Sequence, residues 1–422
     1  MKYRLKEICI EVTNECPSNC MHCSSEAGKA LPNELTLDEI KSIIDDFKEM
    51  NTPAIDRDKS LSLEEAVILF AKINSLSDEE KKLLINDREY IKRKIFELRE
   101  ANNEKPTVEL SGGEPLVKKD IIEVIRYIKE KGFRVVIYTS GLINSNNRPV
   151  GITSDQELID NLFRLLVRED GDCMIFSLEG AKERTHDGIT NRNGHYKIIM
   201  DAMQAFLQIK MNVEIHCTPM RLNYREIPDL ISIGNEFKIQ NISFLRLVPQ
   251  GRALQYIDAL MLDQKEFKEL IEILHKEWLN AEESQTTKIR LGCPIDFRHL
   301  IFPIKRKPCH GGKDQLLIRP NGDIHPCPAW KEIENMSLGN IRDEKKEKPI
   351  KDAWINSEVI NLFRSYSADG LWGDCYFCIH GTDICGGGCP AQRIISNKTR
   401  GIQNKEAQLR VGPDPLCFKH LL

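Results

Sequence analysis

The sequence has little excess charge of either sign and no long run of apolar residues. Its formal net charge is −4, too small to make the basic surface that binds nucleic acid or an anionic membrane. No stretch approaches the roughly 20 apolar residues of a membrane-spanning helix. The start, MKYRLKEICIEV, also lacks the apolar segment of a secretory signal. We therefore expect a cytoplasmic protein with neither nucleic acid nor a membrane as partner.

Disulfides are not expected either, although cysteine is abundant. The chain has 14 cysteines in 422 residues, and thiols in the reducing cytoplasm rarely pair. Many of them lie in short clusters, which is typical of metal ligation. The length allows one large domain of about 250 residues and a smaller one.

Short β-branched runs alternate with amphipathic helical stretches from residue 5 to about 280. This alternation predicts βα units around a parallel sheet, and six units suggest a partial (β/α)6 barrel with its chemistry at the carboxyl ends of the strands. The predicted strands are 5–12, 107–111, 133–139, 173–178, 212–218 and 240–247. The predicted helices are 36–50, 119–131, 155–168, 197–211, 225–237 and 264–279, with Thr36 and Asp155 among the caps.

Two segments depart from this alternation. Residues 51–104 form an insertion that we predict to be helical, with a shorter helix at 62–75 and a long charged helix from Ser77 to Glu104. A helical hairpin on the outer wall of the barrel explains it more simply than a recognition arm. Residues 281–422 are rich in Cys, Gly and Pro, which predicts a second domain organised by ligands rather than by a large hydrophobic core.

Three cysteines follow the first strand with the spacing C-x3-C-x2-C: Cys16, Cys20 and Cys23. Three thiolates can hold three irons of a 4Fe–4S cube and leave the fourth iron open to another ligand. A zinc loop would need a fourth ligand nearby, and His22 is poorly positioned for that role. The arrangement resembles the radical S-adenosylmethionine (radical SAM) family. In that family SAM occupies the open iron, and an electron from the cluster cleaves it to a 5'-deoxyadenosyl radical.

The resemblance extends to a glycine-rich turn after the second strand. By analogy with the family's GGEP motif, Gly112, Gly113 and Glu114 bind the amino group of SAM. Glycines let the backbone approach a ligand closely, although such a turn alone is weak evidence.

Residues at the ends of later strands complete the expected SAM site. Ser177 and Arg192 match residues that contact the ribose or carboxylate of SAM in the family, and Ser140 lies in a turn that resembles the family's T-N-G turn near the ribose. Leu245 ends the sixth strand, which in the family lies by the adenine. A surface ion pair for Arg192 and a buried core strand around Leu245 are the simpler alternatives.

Eight further cysteines lie in the second domain. Cys309 and Cys327 flank a predicted hairpin whose tight turn is Asn321-Gly322. The remaining members are Cys293, Cys375, Cys378, Cys385, Cys389 and Cys417. The spacings resemble the SPASM domain, the cysteine-rich extension of many radical SAM enzymes.

That resemblance implies two auxiliary 4Fe–4S clusters with interleaved ligands. One would be held by Cys293, Cys309, Cys327 and Cys389, and the other by Cys375, Cys378, Cys385 and Cys417. If Cys293 is not a ligand, the first cluster has an open iron for substrate. Zinc is the alternative for the group from Cys375 to Cys389. Cys9, Cys173 and Cys217 are predicted to be core residues, and His310, Asp323 and His325 to be either loop residues or hydrogen-bond partners of the ligands.

The combined resemblance implies a radical SAM/SPASM oxidoreductase that uses SAM and three 4Fe–4S clusters. Such enzymes mostly modify peptides, for example by a thioether or carbon–carbon link in a ribosomal precursor peptide. The expected partners are that peptide, an electron donor of the flavodoxin or ferredoxin type, and a separate leader-binding protein unless the 51–104 insertion serves that purpose. No domain is expected ahead of the barrel, since the first strand begins within about ten residues of the start.

Three alternatives stay open. A haem-pathway enzyme acting on tetrapyrroles is suggested by the short element from Arg246 to Arg252. A sulfatase-maturing enzyme is less favoured, because Pro328 follows Cys327 where that subgroup usually has an aspartate. The third is an iron–sulfur protein that no longer cleaves SAM. The sequence does not identify a catalytic acid or base.

Overall fold

One sheet with parallel strands at its centre dominates the fold. A computed structural model describes residues 3–51, 105–145, 148–284, 287–292, 309–365, 370–378 and 387–417. The strands are β1 (Glu7–Thr13), β2 (Thr107–Gly112), β3 (Arg134–Thr139), β4 (Leu142–Ser145), β5 (Arg148–Gly151), β6 (Cys173–Ser177), β7 (Asn212–Cys217), β8 (Asn241–Phe244), β9 (Lys288–Leu291), β10 (Gln315–Ile318), β11 (Asp323–His325), β12 (Gly339–Asn340), β13 (Trp372–Gly373) and β14 (Val411–Gly412). The predicted insertion, Cys293 and Cys385 lie outside the described residues.

Helices follow most of the central strands. They are α1 (Leu37–Asn51), α2 (Ile121–Glu130), α3 (Gln156–Leu165), α4 (Glu183–Thr190), α5 (His195–Gln208), α6 (Ile227–Glu236), α7 (Ile257–Leu260), α8 (Gln264–Ser284), α9 (Pro349–Asn356), α10 (Glu358–Ser365), α11 (Pro390–Thr399) and α12 (Lys405–Arg410). Both predicted caps are confirmed: Thr36 and Glu39 exchange hydrogen bonds as a capping box, and Asp155 Oδ1 accepts from Leu158 N.

The six predicted strands are all present and adjacent in chain order, as β1, β2, β3, β6, β7 and β8, and each neighbouring pair is parallel. The predicted partial (β/α)6 arrangement is therefore confirmed. Alternation along β1 shows how the sheet divides its two faces. Ile8, Ile10 and Val12 belong to the large hydrophobic core, whereas Glu11 and Thr13 point to the opposite face, which is the interior of the barrel.

The sheet continues beyond the six strands on both sides. We expected the βα alternation to stop at residue 280, and this is wrong, because α8 runs to Ser284 and β9 then pairs in parallel with β8. On the other side β10 pairs in parallel with β1, and β11 and β12 follow in antiparallel order. The predicted hairpin is β10–β11, and Gly322 in its turn has a φ of 87°.

The cysteine-rich segment also has a small hydrophobic core of its own. It contains Trp330, Ile333, Met336, Phe363, Ala391, Ile394 and Leu409. No helix in the described ranges is long and apolar enough to cross a bilayer.

Candidate functional site

The loop of Cys16, Cys20 and Cys23 lies at the carboxyl end of β1, where the parallel sheet predicts the chemistry. Its backbone is held at both ends. Cys16 N donates to Gly28 O at 2.9 Å, which closes the loop on itself, and Met21 N donates to Ile189 O at 2.9 Å. The second bond anchors the loop on α4.

Two arginines fix the loop from other parts of the barrel. Arg252 donates to Cys20 O at 3.1 Å and to Ala27 O at 2.6 Å. Arg192 donates through Nη2 to Pro17 O. Both arginines bind carbonyl groups between or next to the cysteines, so the thiols are held on a rigid loop.

The three cysteines are half-buried, and the surroundings of Cys16 and Cys20 disfavour a negative charge. Burial raises the pKa of Cys16, and the neighbouring Cys20 and Glu114 raise it further. Burial likewise raises the pKa of Cys20 to about 12, with Cys23 and Glu179 adding to the effect. Thiolates packed this closely need a compensating positive charge, which iron supplies.

The donor set therefore fits an iron–sulfur cluster. Within the described ranges, no three His, Cys, Asp or Glu side chains converge on a single ion position. In a cube each thiolate binds a different iron, so the three sulfurs need not share one centre.

The turn of Gly112 and Gly113 lies directly against the start of this loop. Gly113 N donates to Thr13 O at 2.7 Å, and Glu114 N donates to Glu15 O at 2.8 Å. A Cβ on Gly113 would overlap Glu15 O and lie 2.6 Å from Glu15 C. Glycine is required here because two backbones meet.

Glu114 is fully buried and binds the turn that contains Ser140, another of the predicted SAM residues. Its Oε2 accepts from Ser140 N at 2.7 Å and from Ser140 Oγ at 2.6 Å, and its Oε1 accepts from Thr139 Oγ1 at 2.8 Å. Burial raises the pKa of Glu114 to about 7, although these hydrogen bonds oppose the shift. The carboxyl group thus orders the turn after β3.

Arg192 forms no ion pair with the described residues, so the surface ion pair that was its alternative interpretation is not found there. Besides its bond to Pro17 O, it has a buried Nε that meets no partner among the described residues. An unsatisfied buried donor beside the three-cysteine loop fits an acidic or polar ligand group there.

The next strand end contains Ser177 and, two residues later, Glu179. Ser177 ends β6 and pairs in register with His216. Glu179 is 3% exposed, and its Oε1 lies 3.2 Å from His22 Nε2. Burial alone would lower the pKa of His22, but the charge and hydrogen bond of Glu179 outweigh burial and raise it. The His22 ring therefore points to the carboxylate of Glu179. This agrees with the expectation that His22 is poorly positioned to bind a zinc ion together with the three cysteines.

Leu245 follows β8, and its backbone N donates to Cys217 O at 2.9 Å. Its side chain lines a cavity of about 230 Å³ between the barrel and α11.

Three of the cysteines assigned to the first auxiliary cluster pack on the same small core. Cys309, Cys327 and Cys389 all pack on the small core around Trp330. Burial raises the pKa of Cys327, and the charges of Cys309 and Cys389 add to that shift. Cys293, assigned to the same cluster, lies outside the described residues.

For the other predicted cluster, the described residues include Cys375, Cys378 and Cys417. Cys378 N donates to Cys375 O at 3.3 Å, and Cys375 lies against Gly412 of β14. Cys417 N donates to Asp414 O at 2.9 Å, so the segment that contains Cys417 follows β14 directly. Cys385 lies outside the described residues.

The other cysteines and the two histidines named in the sequence analysis differ in their exposure. Cys9, Cys173 and Cys217 are buried, as predicted for core residues. His310 is exposed and lies 2.7 Å from Asp314. His325 is buried, and burial lowers its pKa to about 4.

A buried ion pair that the sequence analysis missed connects the two cysteine regions. Lys331 Nζ lies 2.9 Å from Glu11 Oε1, with both side chains at most 5% exposed, and it also donates to Ser25 Oγ. Ser25 is two residues after Cys23, and Lys331 is four after Cys327. The available signal was Glu11 itself, a charge inside an otherwise apolar strand.

A second missed pair joins the barrel to the C-terminal segment. Arg246 donates from Nη1 and Nη2 to Asp414 at 2.6 and 2.8 Å. Burial would raise the pKa of Asp414, but Arg246 and the backbone donors lower it below its usual value. Asp414 also accepts from Cys389 N at 2.7 Å, so it positions a predicted cluster ligand.

Two family models match parts of this chain. Residues 75–232 match the Radical SAM superfamily, and residues 309–379 match SPASM, an iron–sulfur cluster-binding domain. The first match begins after the three-cysteine loop. Over these residues the chain carries a Radical SAM domain and a SPASM domain.

Particular proteins resemble it over most of their length. An AdoMet-dependent heme synthase of Methanosarcina barkeri is 23% identical over 394 residues, which cover 89% of each chain. The mycofactocin maturase MftC of Mycolicibacterium smegmatis is 23% identical over 98% of this chain and 83% of its own. Among solved structures, Streptococcus suis SuiB bound to precursor peptide SuiA has a TM-score of 0.65 at 14% identity, over 99% of this chain and 77% of that chain.

Proposed function

We propose that this chain is a radical SAM oxidoreductase that modifies a peptide, forming a thioether or carbon–carbon link in a ribosomal precursor peptide. The observation that carries the first half is the rigid three-cysteine loop pressed against the Gly112–Glu114 turn. With SAM and the cluster bound, such a site supplies a 5'-deoxyadenosyl radical that takes a hydrogen atom from an unactivated carbon.

In this proposal each described residue has a defined task. Cys16, Cys20 and Cys23 hold the radical-generating cluster. Arg192, with its Nε that meets no partner among the described residues, and the turn of Gly112, Gly113 and Glu114 bind SAM. Glu114 also orders Ser140 beside them. Ser177 and Leu245 complete the site at the ends of β6 and β8.

The auxiliary thiols support a net oxidation. A new bond between two carbons, or between carbon and sulfur, requires the substrate radical to lose one more electron and a proton. Cys309, Cys327 and Cys389 would hold an acceptor for that electron, and the buried pair of Lys331 and Glu11 ties their segment to the radical loop.

The proposed peptide substrate is supported by the proteins that this chain resembles. SuiB was solved with its precursor peptide, and the mycofactocin maturase is similar over 98% of this chain. An electron donor of the flavodoxin or ferredoxin type and a leader-binding protein are the further partners that we propose.

A tetrapyrrole substrate is the second candidate, because an AdoMet-dependent heme synthase is similar over 89% of the chain. The two arginines that suggested it have other partners here. Arg246 pairs with Asp414, and Arg252 binds the three-cysteine loop. We therefore rank the peptide first.

One experiment separates these functions. The protein is co-expressed anaerobically with the short peptides encoded beside its gene, as wild type and with Cys16, Cys20 and Cys23 replaced by alanine. We expect loss of two hydrogens, or a larger defined mass change, only with wild type. The variant should release no 5'-deoxyadenosine and keep about two-thirds of the iron, if all three clusters are 4Fe–4S.

Other results would redirect the assignment. SAM cleavage by the triple variant would contradict the site. An unchanged peptide, together with a mass change in a carboxylate-rich tetrapyrrole incubated with the wild-type enzyme and SAM, would favour the tetrapyrrole function. No 5'-deoxyadenosine from wild type would indicate an iron–sulfur protein without SAM chemistry.

A further inference from the structure

An apolar cavity of about 230 Å³ lies between the carboxyl end of β8 and helix α11 of the SPASM domain. About 150 Å³ lined by apolar side chains is enough to bind benzene, so this space accommodates one large aromatic or branched side chain. Most of its wall is hydrocarbon. Among the lining residues are Leu245, Leu262, Phe267, Leu270, Ile395 and Leu416.

One polar group in this wall lacks a partner. Gln392 is 2% exposed, it lines the cavity, and its buried amide Nε2 meets no acceptor among the described residues. A buried N–H without an acceptor is costly and rare in native proteins. A ligand carbonyl in the cavity would satisfy it.

The cavity lies between the two regions of predicted cluster ligands. Leu247 and Leu260 line it and also pack in the cluster that contains Met21, which lies between Cys20 and Cys23. On the other side, Arg246 lines the cavity and pairs with Asp414, which accepts from Cys389 N. A group bound in the cavity therefore lies between two regions: Met21 of the three-cysteine loop is behind one wall, and Cys389, a predicted auxiliary ligand, is behind the other.

We propose that this cavity binds an apolar side chain of the peptide substrate, and that Gln392 donates a hydrogen bond to a backbone carbonyl beside that side chain. The inference rests on the proposed peptide function. It assigns the site a substrate feature: a large apolar residue close to the residue that is modified. Gln392 acts in it as a specificity-determining residue.

Binding of single capped amino acids tests the site without turnover. Saturation-transfer NMR on the anaerobically reconstituted holoprotein would compare N-acetyl-tryptophan amide, N-acetyl-leucine amide, N-acetyl-glycine amide and 3-methylindole. We expect the tryptophan and leucine amides to bind and the glycine amide not to bind. Ile395→Trp should abolish binding by filling the cavity, while Ile209→Trp, at a position 43% exposed, should leave it unchanged.

The hydrogen bond has its own control. Gln392→Met keeps the shape but removes the donor, so N-acetyl-tryptophan amide should bind about five- to tenfold more weakly. The affinity of 3-methylindole, which has no carbonyl, should not change. Unchanged SAM affinity in all variants would show that the fold is retained.

The outcomes distinguish this inference from the proposed function. Equal binding of the glycine and tryptophan amides, or normal binding by Ile395→Trp, would overturn the site. Loss of 3-methylindole binding in Gln392→Met would overturn the role of the amide. If the capped amino acids bind as expected but no peptide is modified in co-expression, the cavity is still a binding site for apolar side chains, and the proposed peptide-modifying function is wrong.

Discussion

At the scale of single residues, the interior face of the barrel is polar where a parallel sheet usually buries hydrocarbon. Glu109 on β2 is the main example. It accepts from Tyr138 Oη at 3.0 Å and from Gln315 Nε2 at 3.3 Å. Burial raises the pKa of Glu109 to about 7, and the charge of Glu7 adds to the shift. This carboxyl group therefore carries a proton in the folded protein at mildly acidic pH.

Glu109 makes stability depend on pH. Between its ordinary pKa of 4.5 and about 7, the folded protein holds a proton that the unfolded chain has lost. Stability should therefore fall as pH rises through this range, by up to about 3 kcal/mol, and stay low above it. Glu109→Gln should remove this dependence. Urea denaturation from pH 5 to 8 would measure it.

Glu49→Gln is the matched control, since the Glu49 side chain is 49% exposed. It should follow the wild-type pH curve. If the free energy of unfolding of Glu109→Gln changed with pH as that of the wild type does, Glu109 would have to be ionised throughout the range.

At the scale of elements, two loops at the ends of β1 and β2 meet with no room for a side chain. The glycine turn donates from two successive amides to Thr13 O and Glu15 O. The spacing between Cys16 and the glycine turn in sequence is long because residues 51–104 intervene, yet the strand pairing brings them together. The proposed SAM site thus depends on adjacent strands rather than on neighbours in the chain.

Gly113→Ala should abolish SAM binding and the release of 5'-deoxyadenosine. Its Cβ would overlap the backbone of Glu15, so the three-cysteine loop must move away from the turn. Calorimetric titration with SAM and product chromatography would measure the loss.

Gly188→Ala provides the control, because a Cβ there meets nothing within 4 Å. It should bind SAM as wild type does. Full SAM binding by Gly113→Ala would contradict the assignment of this turn.

At the scale of the whole molecule, the barrel and the SPASM domain are not separate bodies joined by a linker. The hairpin β10–β11 extends the barrel sheet from β1, and the pair of Arg246 and Asp414 joins the end of β8 to the C-terminal segment. Both side chains of this pair are at most 6% exposed. Loss of one partner would leave a buried charge uncompensated.

Asp414→Asn should therefore cost about 3–5 kcal/mol and loosen the segment that contains Cys389 and Cys417. We expect it to lose auxiliary iron and stop product formation while SAM cleavage continues. Iron analysis, EPR and 5'-deoxyadenosine release would measure these separately.

Glu49→Gln again provides the comparison, because it removes a carboxylate that is 49% exposed and pairs with Lys348 and Lys351, and it should change none of these readouts. Retention of all auxiliary iron by Asp414→Asn would show that the pair is not needed to position the cysteines.

Local patterns were sufficient for the strand and helix order, because periods of 2 and 3.6 residues are set by neighbours in the chain. They also identified the three-cysteine loop, the glycine turn and the spacing of Cys309 and Cys327. The tertiary structure alone decided which distant groups meet. Glu11 and Lys331 are 320 residues apart, and Arg246 and Asp414 are 168 apart. The added strands β9 and β10 likewise depend on sheet edges that local periodicity does not describe. Packing of strand against strand and burial of opposite charges fix such contacts, and neither leaves a periodic signal in the sequence.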